Sequence, residues 1–237
     1  WQSALQVETI TDDIALLSIQ GVGANISCGD LSGLQVEVKN LGANPVGSIQ
    51  VDYNLDGTPN MFNWTGSLAS GATTTINIPT LSLTTGYHEL TVSTSFSGDA
   101  FASNNSSSRK FYANEVGTFN TVNDFESPSD ELIVYDEGLC GTGYWTRGVS
   151  TSGVLSSSGN NVYGTNLSGN YDDNIKSYLF TQCYDLTQLD SPVLKFDMAF
   201  DLENEWDIVY VEYSTDSGAN WNVLGSAADP NWYNSST

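Results

Sequence analysis

Residues 197–216 read DMAFDLENEWDIVYVEYSTD and carry seven carboxylates: Asp197, Asp201, Glu203, Glu205, Asp207, Glu212 and Asp216. Two such groups facing each other across a cleft, one held protonated, can cleave glycosides. Six to eight oxygens gathered around a point can hold calcium. Here the acids fall at alternate positions or in loops, beside a regular run of large apolar side chains. That pattern predicts the wet side of a sheet strand and its loop, with one or two acids lent to a cation.

Other residues with chemical capacity are sparse. His88 is the sole histidine, whereas a metallohydrolase needs two or three as ligands. It lies in GYHEL at a predicted strand start, and the chain has no G-x-S-x-G elbow to supply a serine partner. STDSGANW at 214–221 matches the S-x-D-x-G-x-T-W box of sialidase-type propellers, with Asn220 in place of Thr. A propeller repeats that box once per blade, and this sequence holds one copy, so it is read as a structural turn. Trp145, Tyr163 and Trp206 lie in or beside loops and are the candidates for a sugar-stacking platform, with burial in a core as the alternative. Asp124 and Glu126 in NDFES flank Phe125 and, on a strand, would project to one side. Asp172 and Asp173 adjoin in the loop YDDN. These two pairs are the candidate calcium ligands, and no EF-hand spacing is present.

The elements that position these residues are strands. Alternation of apolar and polar side chains runs through most of the chain, and helical periodicity is almost absent. LQVEV, SIQVDYN, TINIP, HELTVSTSF and SRKFYA, with DIALLSI near the start, predict about seven short strands, with Asp56-Gly57 as a tight turn. In the second half ELIVYDEG, NNVYG, KSYLFTQCYDL, SPVLKFDMAF, DIVYVEYS and WNVLG continue the pattern. FNTVNDFES is predicted to open that half as a strand. In LKFDMAF, residues Leu194, Phe196, Met198 and Phe200 share one face, as in a half-buried antiparallel strand. The predicted fold class is all-β: two tandem antiparallel β-sandwiches. Residues 1–10 form a lead-in, 11–115 the first sandwich and 116–237 the second, which reads as cut short of its closing strands.

Length and charge narrow the function classes. The chain has 237 residues, with 28 Asp and Glu against six Lys and Arg, a formal charge of −22. Nine acids and three bases fall in residues 1–113, and nineteen and three in 114–237. Such a surface repels nucleic acid and anionic lipid and attracts cations. No apolar run is long enough to span a bilayer. Trp1 follows no leader segment, so the sequence reads as a mature or excised fragment. Cys140 and Cys183 share a half and could bridge, which would leave Cys28 unpaired or joined to sequence elsewhere. Richness in Ser, Thr, Asn and Gly with few Lys suits an extracellular setting, where disulfides persist.

The stretch VKNLGANPVGSIQVDYNLDG, with NWTGSLASGATTTINIPTLSLTTGYHELTV and NNSSSRKF, resembles the immunoglobulin-like (CARDB-type) modules of secreted multidomain proteins from Bacteroidota. Those modules commonly flank proteases and adhesins exported by type IX secretion. NDFES, then SYLFTQCYDLTQLDSPVLKFDMAF and DIVYVEYSTDSGANW, resembles a MAM-like jelly-roll domain. In such domains an acidic pair on the first strand often helps to hold a structural cation, which by resemblance favours Asp124 and Glu126 over Asp172 and Asp173. The resemblance implies an Ig-like sandwich followed by a jelly roll in a secreted or cell-surface protein. Together with the residue reading, it predicts a non-catalytic module, spacer and adhesion or substrate-docking domain, whose partner is an extracellular protein or glycan. Two alternatives stand beside it: an accessory region of a secreted hydrolase, a metalloprotease first, with its catalytic domain outside this chain, and a carbohydrate-binding module.

Overall fold

The structure, a computed structural model, describes residues 9–128, 131–136, 145–203, 205–226 and 228–230. It divides into two compact units, one of residues 1–113 with Asp216–Ala219, the other of 114–215 with 220–237. Among the described residues the fold is all-β, with antiparallel sheets and two single-turn 3-10 helices, Ala102–Asn104 and Leu186–Gln188.

The first unit packs two sheets face to face. Strands β1 (Ile14–Gln20), β3 (Gln35–Asn40) and β6 (Thr73–Asn77) make one, in the order β1-β3-β6. Strands β2 (Ile26–Cys28), β4 (Val46–Leu55), β5 (Thr58–Leu68), β7 (Gly86–Ser95) and β8 (Ser106–Asn114) make the other, in the order β2-β8-β7-β4-β5. This three-on-five arrangement is an immunoglobulin-like sandwich. Its core follows from the period of two. Val36 and Val38 of β3, Ile49 and Val51 of β4, and Leu90 and Val92 of β7 are almost wholly buried, as are Ile76 and Phe111. The intervening Glu37, Lys39 and Gln50 reach outward. Between β4 and β5, Asp56 (φ 51°) and Gly57 (φ 86°) form the predicted two-residue turn. Both φ angles are positive, the geometry whose twist matches the flanking strands.

One strand is longer than the sequence suggests. The stretch after that turn, Thr58-Pro59-Asn60, reads as further turn, yet β5 already runs through it. β5 is a sheet edge, where a missing proline N–H costs nothing to the ladder.

Asn40, at the end of β3, is a fully buried polar side chain of the first unit. Its Nδ2 donates to the carbonyls of Asn44 (2.8 Å) and Leu68 (2.9 Å), and its Oδ1 accepts from the Gly42 amide at 2.9 Å. A buried amide with three partners stitches three chain segments together at low cost.

The second unit consists, among the described residues, of three two-stranded antiparallel sheets. β9 (Ile133–Asp136) pairs with β12 (Ser177–Phe180), β10 (Thr146–Val149) with β11 (Asn161–Gly164), and β13 (Val211–Tyr213) with β14 (Asn222–Leu224). Two expected strands are absent. Residues 191–200 are not a strand, and Leu194, Phe196, Met198 and Phe200 remain 37–47% exposed. Alternation prepares a strand but cannot form one; it takes a neighbouring chain to receive its hydrogen bonds, and no ladder partner is present for 191–200 among the described residues. Residues 119–127 are the other case. The Asn123 side chain accepts from the Phe125 amide and the Asp124 side chain from the Glu126 amide, both at 3.1 Å. Phe125 is turned to φ 61°. Two consecutive side-chain-to-backbone turns outcompete extension here.

Cys28 and Cys183 are each disulfide-bonded. Of the two expectations for Cys28, unpaired or joined to sequence elsewhere, the first does not hold. Cys140 lies outside the described residues. The expected Cys140–Cys183 bridge involves that residue.

Candidate functional site

β10 begins at Thr146 and β11 ends at Gly164, and the two strands pair Arg147 directly with Tyr163. This register sets Trp145, Thr146, Arg147 and Tyr163 along one cavity, whose other side is Glu131, Leu132 and Val134 at the start of β9. The cavity measures about 360 Å³, within the roughly 300–1,000 Å³ of small-molecule sites. Tyr163 is held from two sides. Its hydroxyl accepts from the Leu132 amide at 2.8 Å, and its ring meets Phe125 edge-on with centroids 5.1 Å apart. Burial pushes the Tyr163 phenol up; the Leu132 N–H and the Arg147 charge oppose this, while the Glu131 charge adds to it. Arg147 is anchored by a bond from its guanidinium to the Ser127 carbonyl at 2.6 Å. No carboxylate lies within ion-pair distance of it among the described residues.

Two of the three predicted platform aromatics thus share one cavity. The third does not: Trp206 is 80% exposed and is not among the cavity's residues. Arg147 and Glu131 were not singled out from the sequence. The available signal was scarcity, since Arg147 is one of three basic residues in the second half.

The predicted cation ligands have other employment. Glu126 Oε1 accepts from the amides of Asn160 (2.6 Å) and Asn161 (2.7 Å), and Oε2 from the Asn161 side chain at 2.9 Å. It clamps the segment leading into β11. Asp124 closes its own turn, and Asp172 and Asp173 are exposed in the loop before β12. Among the described residues no three His, Cys, Asp or Glu side chains converge as a metal site.

The 197–216 acids also separate. Asp207 takes the Tyr171 hydroxyl and, at 3.0 Å, the Glu203 amide. That hydrogen bond to Asp207 holds the Tyr171 phenol above its usual range. The 214–221 box forms a turn with Ser217 (φ 59°) and Gly218 (φ 78°) left-handed, the Ala219 amide bonding back to the Asp216 carbonyl. Trp221 rests on Phe180 with ring centroids 5.5 Å apart.

In the first unit, His88 is 5% exposed and stacks on Phe111. Its Nδ1 lies 2.5 Å from Asp56 Oδ2 and its Nε2 2.6 Å from the Thr84 carbonyl. Asp56 Oδ1 accepts from the Glu89 amide at 2.8 Å. Burial would raise the Asp56 carboxyl, but the Glu89 N–H and the His88 ring outweigh it and hold it below its ordinary 3.8. An imidazole with both nitrogens engaged has none left to take a proton from a nucleophile, so this Asp–His pair ties the β4–β5 turn to β7.

No family model matches the chain, and no curated protein matches it. Solved structures do overlap with it. The crystal structure of the CARDB domain of a Pyrococcus furiosus protein, in complex with di-metal ions, is 19% identical over 45% of this chain and 97% of its own, with a TM-score of 0.37. The solution structure of the same domain gives 19%, 44%, 97% and 0.36. A domain of a conjectured cell surface protein from Methanosarcina acetivorans is 21% identical over 44% of this chain and 93% of its own, with a TM-score of 0.37. Likeness at these scores decides nothing about ligand or role.

Proposed function

We propose that this chain is a non-catalytic extracellular module of a secreted or cell-surface protein, acting as spacer and as adhesion or substrate-docking domain. The observation that carries the reading is the pairing of an aromatic cleft with an imidazole that is locked elsewhere. Trp145 and Tyr163 with Arg147 and Glu131 offer stacking surface and polar handles, while His88 spends both nitrogens on a structural strap. The disulfide-bonded Cys28 and Cys183 support an oxidising compartment. The charge of −22 disfavours nucleic acid as a partner. Service as an accessory region of a secreted hydrolase is compatible with the same geometry.

The cleft favours one class of docked ligand. A pyranose offers an apolar face to an aromatic ring and hydroxyls to a guanidinium and a carboxylate. The chain's own charge selects against polyanions, so a neutral glycan fits best. Affinity electrophoresis through gels cast with neutral and with anionic polysaccharides tests this. Retardation by a neutral glycan, lost in Trp145→Ala, is the expected result. Absence of retardation in every gel would remove the glycan and leave the spacer role. Release of sugar or peptide products by the purified chain would overturn the non-catalytic reading itself.

A further inference from the structure

We infer that the outer edge of β5 is a self-association surface, through which two copies of this chain join antiparallel into one continuous sheet. The surface lies in the first unit and is independent of the cleft in the second. A sheet edge offers unpaired N–H and C=O groups, and proteins blunt such edges with short strands, bulges, charges or a covering segment. Three edges of this sandwich are blunted. β1 carries a register shift between Leu16 and Ser18. β6 has five residues. β2 has three, and its Ile26 amide donates to the Ser217 carbonyl at 2.9 Å. The fourth, β5, is eleven residues long and pairs with β4 without a shift from Thr58 to Thr65. Its other side has no ladder partner among the described residues.

The Asp56-Gly57 turn fixes which backbone groups are free. Residues flanking a two-residue hairpin loop exchange both bonds, and the pattern then alternates. Thr58, Asn60, Phe62 and Trp64 therefore bond to β4, while Met61, Asn63 and Thr65 turn their N–H and C=O outward. Pro59 falls in the outward set and guards only the first end of the strand. The side chains add a second pattern. Phe62 and Trp64 are half-buried against the core, with Phe62 edge-on to Tyr53 at 6.3 Å between centroids. Met61, on the opposite face, is 53% exposed. An antiparallel pair centred on Asn63 sets Asn63 against its own copy, Met61 against Thr65, and Phe62 against Trp64. The Phe62–Trp64 pairs fall at non-hydrogen-bonded positions, where side chains come closest. Each half-buried aromatic thus gains an aromatic neighbour from the second copy.

Charge decides the occupant. Residues 57–88 contain no Asp, Glu, Lys or Arg, in a chain of formal charge −22. Two such chains repel one another, and β5 brings no carboxylate of its own to the contact. A basic peptide, the other partner that an acidic protein attracts, finds no carboxylate on this strand to hold it. A strand edge covers less than the roughly 800 Å² per partner of a standard interface, so the dimer is weak, with Kd on the order of 0.1 mM.

Sedimentation velocity of the full chain from about 10 µM to about 1 mM tests the edge. The mass should rise from 25.5 kDa toward twice that value. The rise should be steeper in about 500 mM than in about 50 mM salt, since screening lifts the repulsion and leaves backbone hydrogen bonds in place. Asn63→Pro removes an outward N–H without touching the β4 ladder, and should weaken association at least about tenfold. Should that variant fold poorly, Asn63→Lys decides, because it sets two like charges directly opposite each other. Met61→Lys combined with Thr65→Glu places opposite charges across the pair and should preserve the dimer. A constant mass of 25.5 kDa up to about 1 mM would overturn the proposal. So would a dimer that weakens with salt, one unaltered by Asn63→Lys, or one lost in the Met61→Lys, Thr65→Glu double variant.

Discussion

Asp56 and His88 show how one side chain can be legible while its role is not. Asp56-Gly57 is a turn signal, and the turn forms. That its carboxylate then meets a histidine 32 residues later depends on β4 and β7 being sheet neighbours. The pH dependence follows from the direction of the shift. Asp56 is held below its ordinary 3.8 in the folded state, so the stability it supplies is complete above that value and is lost as pH falls through the folded pKa. Asp56 is partly exposed, so the effect is modest. Urea melts between pH 5 and pH 2 should show a flatter acid limb for Asp56→Asn than for the parent chain. Identical slopes would mean that the His88–Asp56 contact carries no such linkage. Asn40 is a second case at this scale: an Asn at a strand end reads as turn chemistry, and only the folded loop reveals it as a buried three-way tie.

At the scale of elements, the two halves differ in how far alternation predicts structure. In the first unit every strand of the five-stranded sheet finds a neighbour, and alternate apolar residues of LQVEV, SIQVDYN, TINIP and HELTVSTSF are the buried ones. In the second, residues 191–200 show as clean an alternation but form no ladder among the described residues. Hydrogen exchange distinguishes the two situations. Amides of β4 and β7, bonded on both sides, should stay protected for hours, while those of 191–200 should exchange within about a minute. Comparable protection in both would show that 191–200 has a hydrogen-bonding neighbour after all. The 119–127 segment failed for a different reason. Its Asn and Asp side chains compete locally for the backbone amides, and propensity arguments that count apolar spacing do not register such competition.

For the whole molecule, the sulfur chemistry and the charge are the governing features. Cys28 and Cys183 are each in a disulfide. Alkylation of the unreduced protein should leave both unlabelled, and reduction should cost about 2–5 kcal/mol of stability. Labelling of either one before reduction, or coincident melting curves with and without reductant, would contradict the assignment. The acidity is equally general in its effect. A charge of −22 repels polyanions in general and draws cations to the surface.

The all-β class, the strand alternation of the first sandwich, the Asp56-Gly57 turn and the electrostatic sign were legible before folding, because each depends on near neighbours along the chain or on composition alone. Folding alone settles that Trp145 and Tyr163 share a cavity with Arg147, that Glu126 is a clamp, and that Asp13 and Asp99 lie against Asn104 and Asn105. Those outcomes rest on which distant segments become neighbours. Periodicity states which way a side chain faces; it carries no information about what it will face.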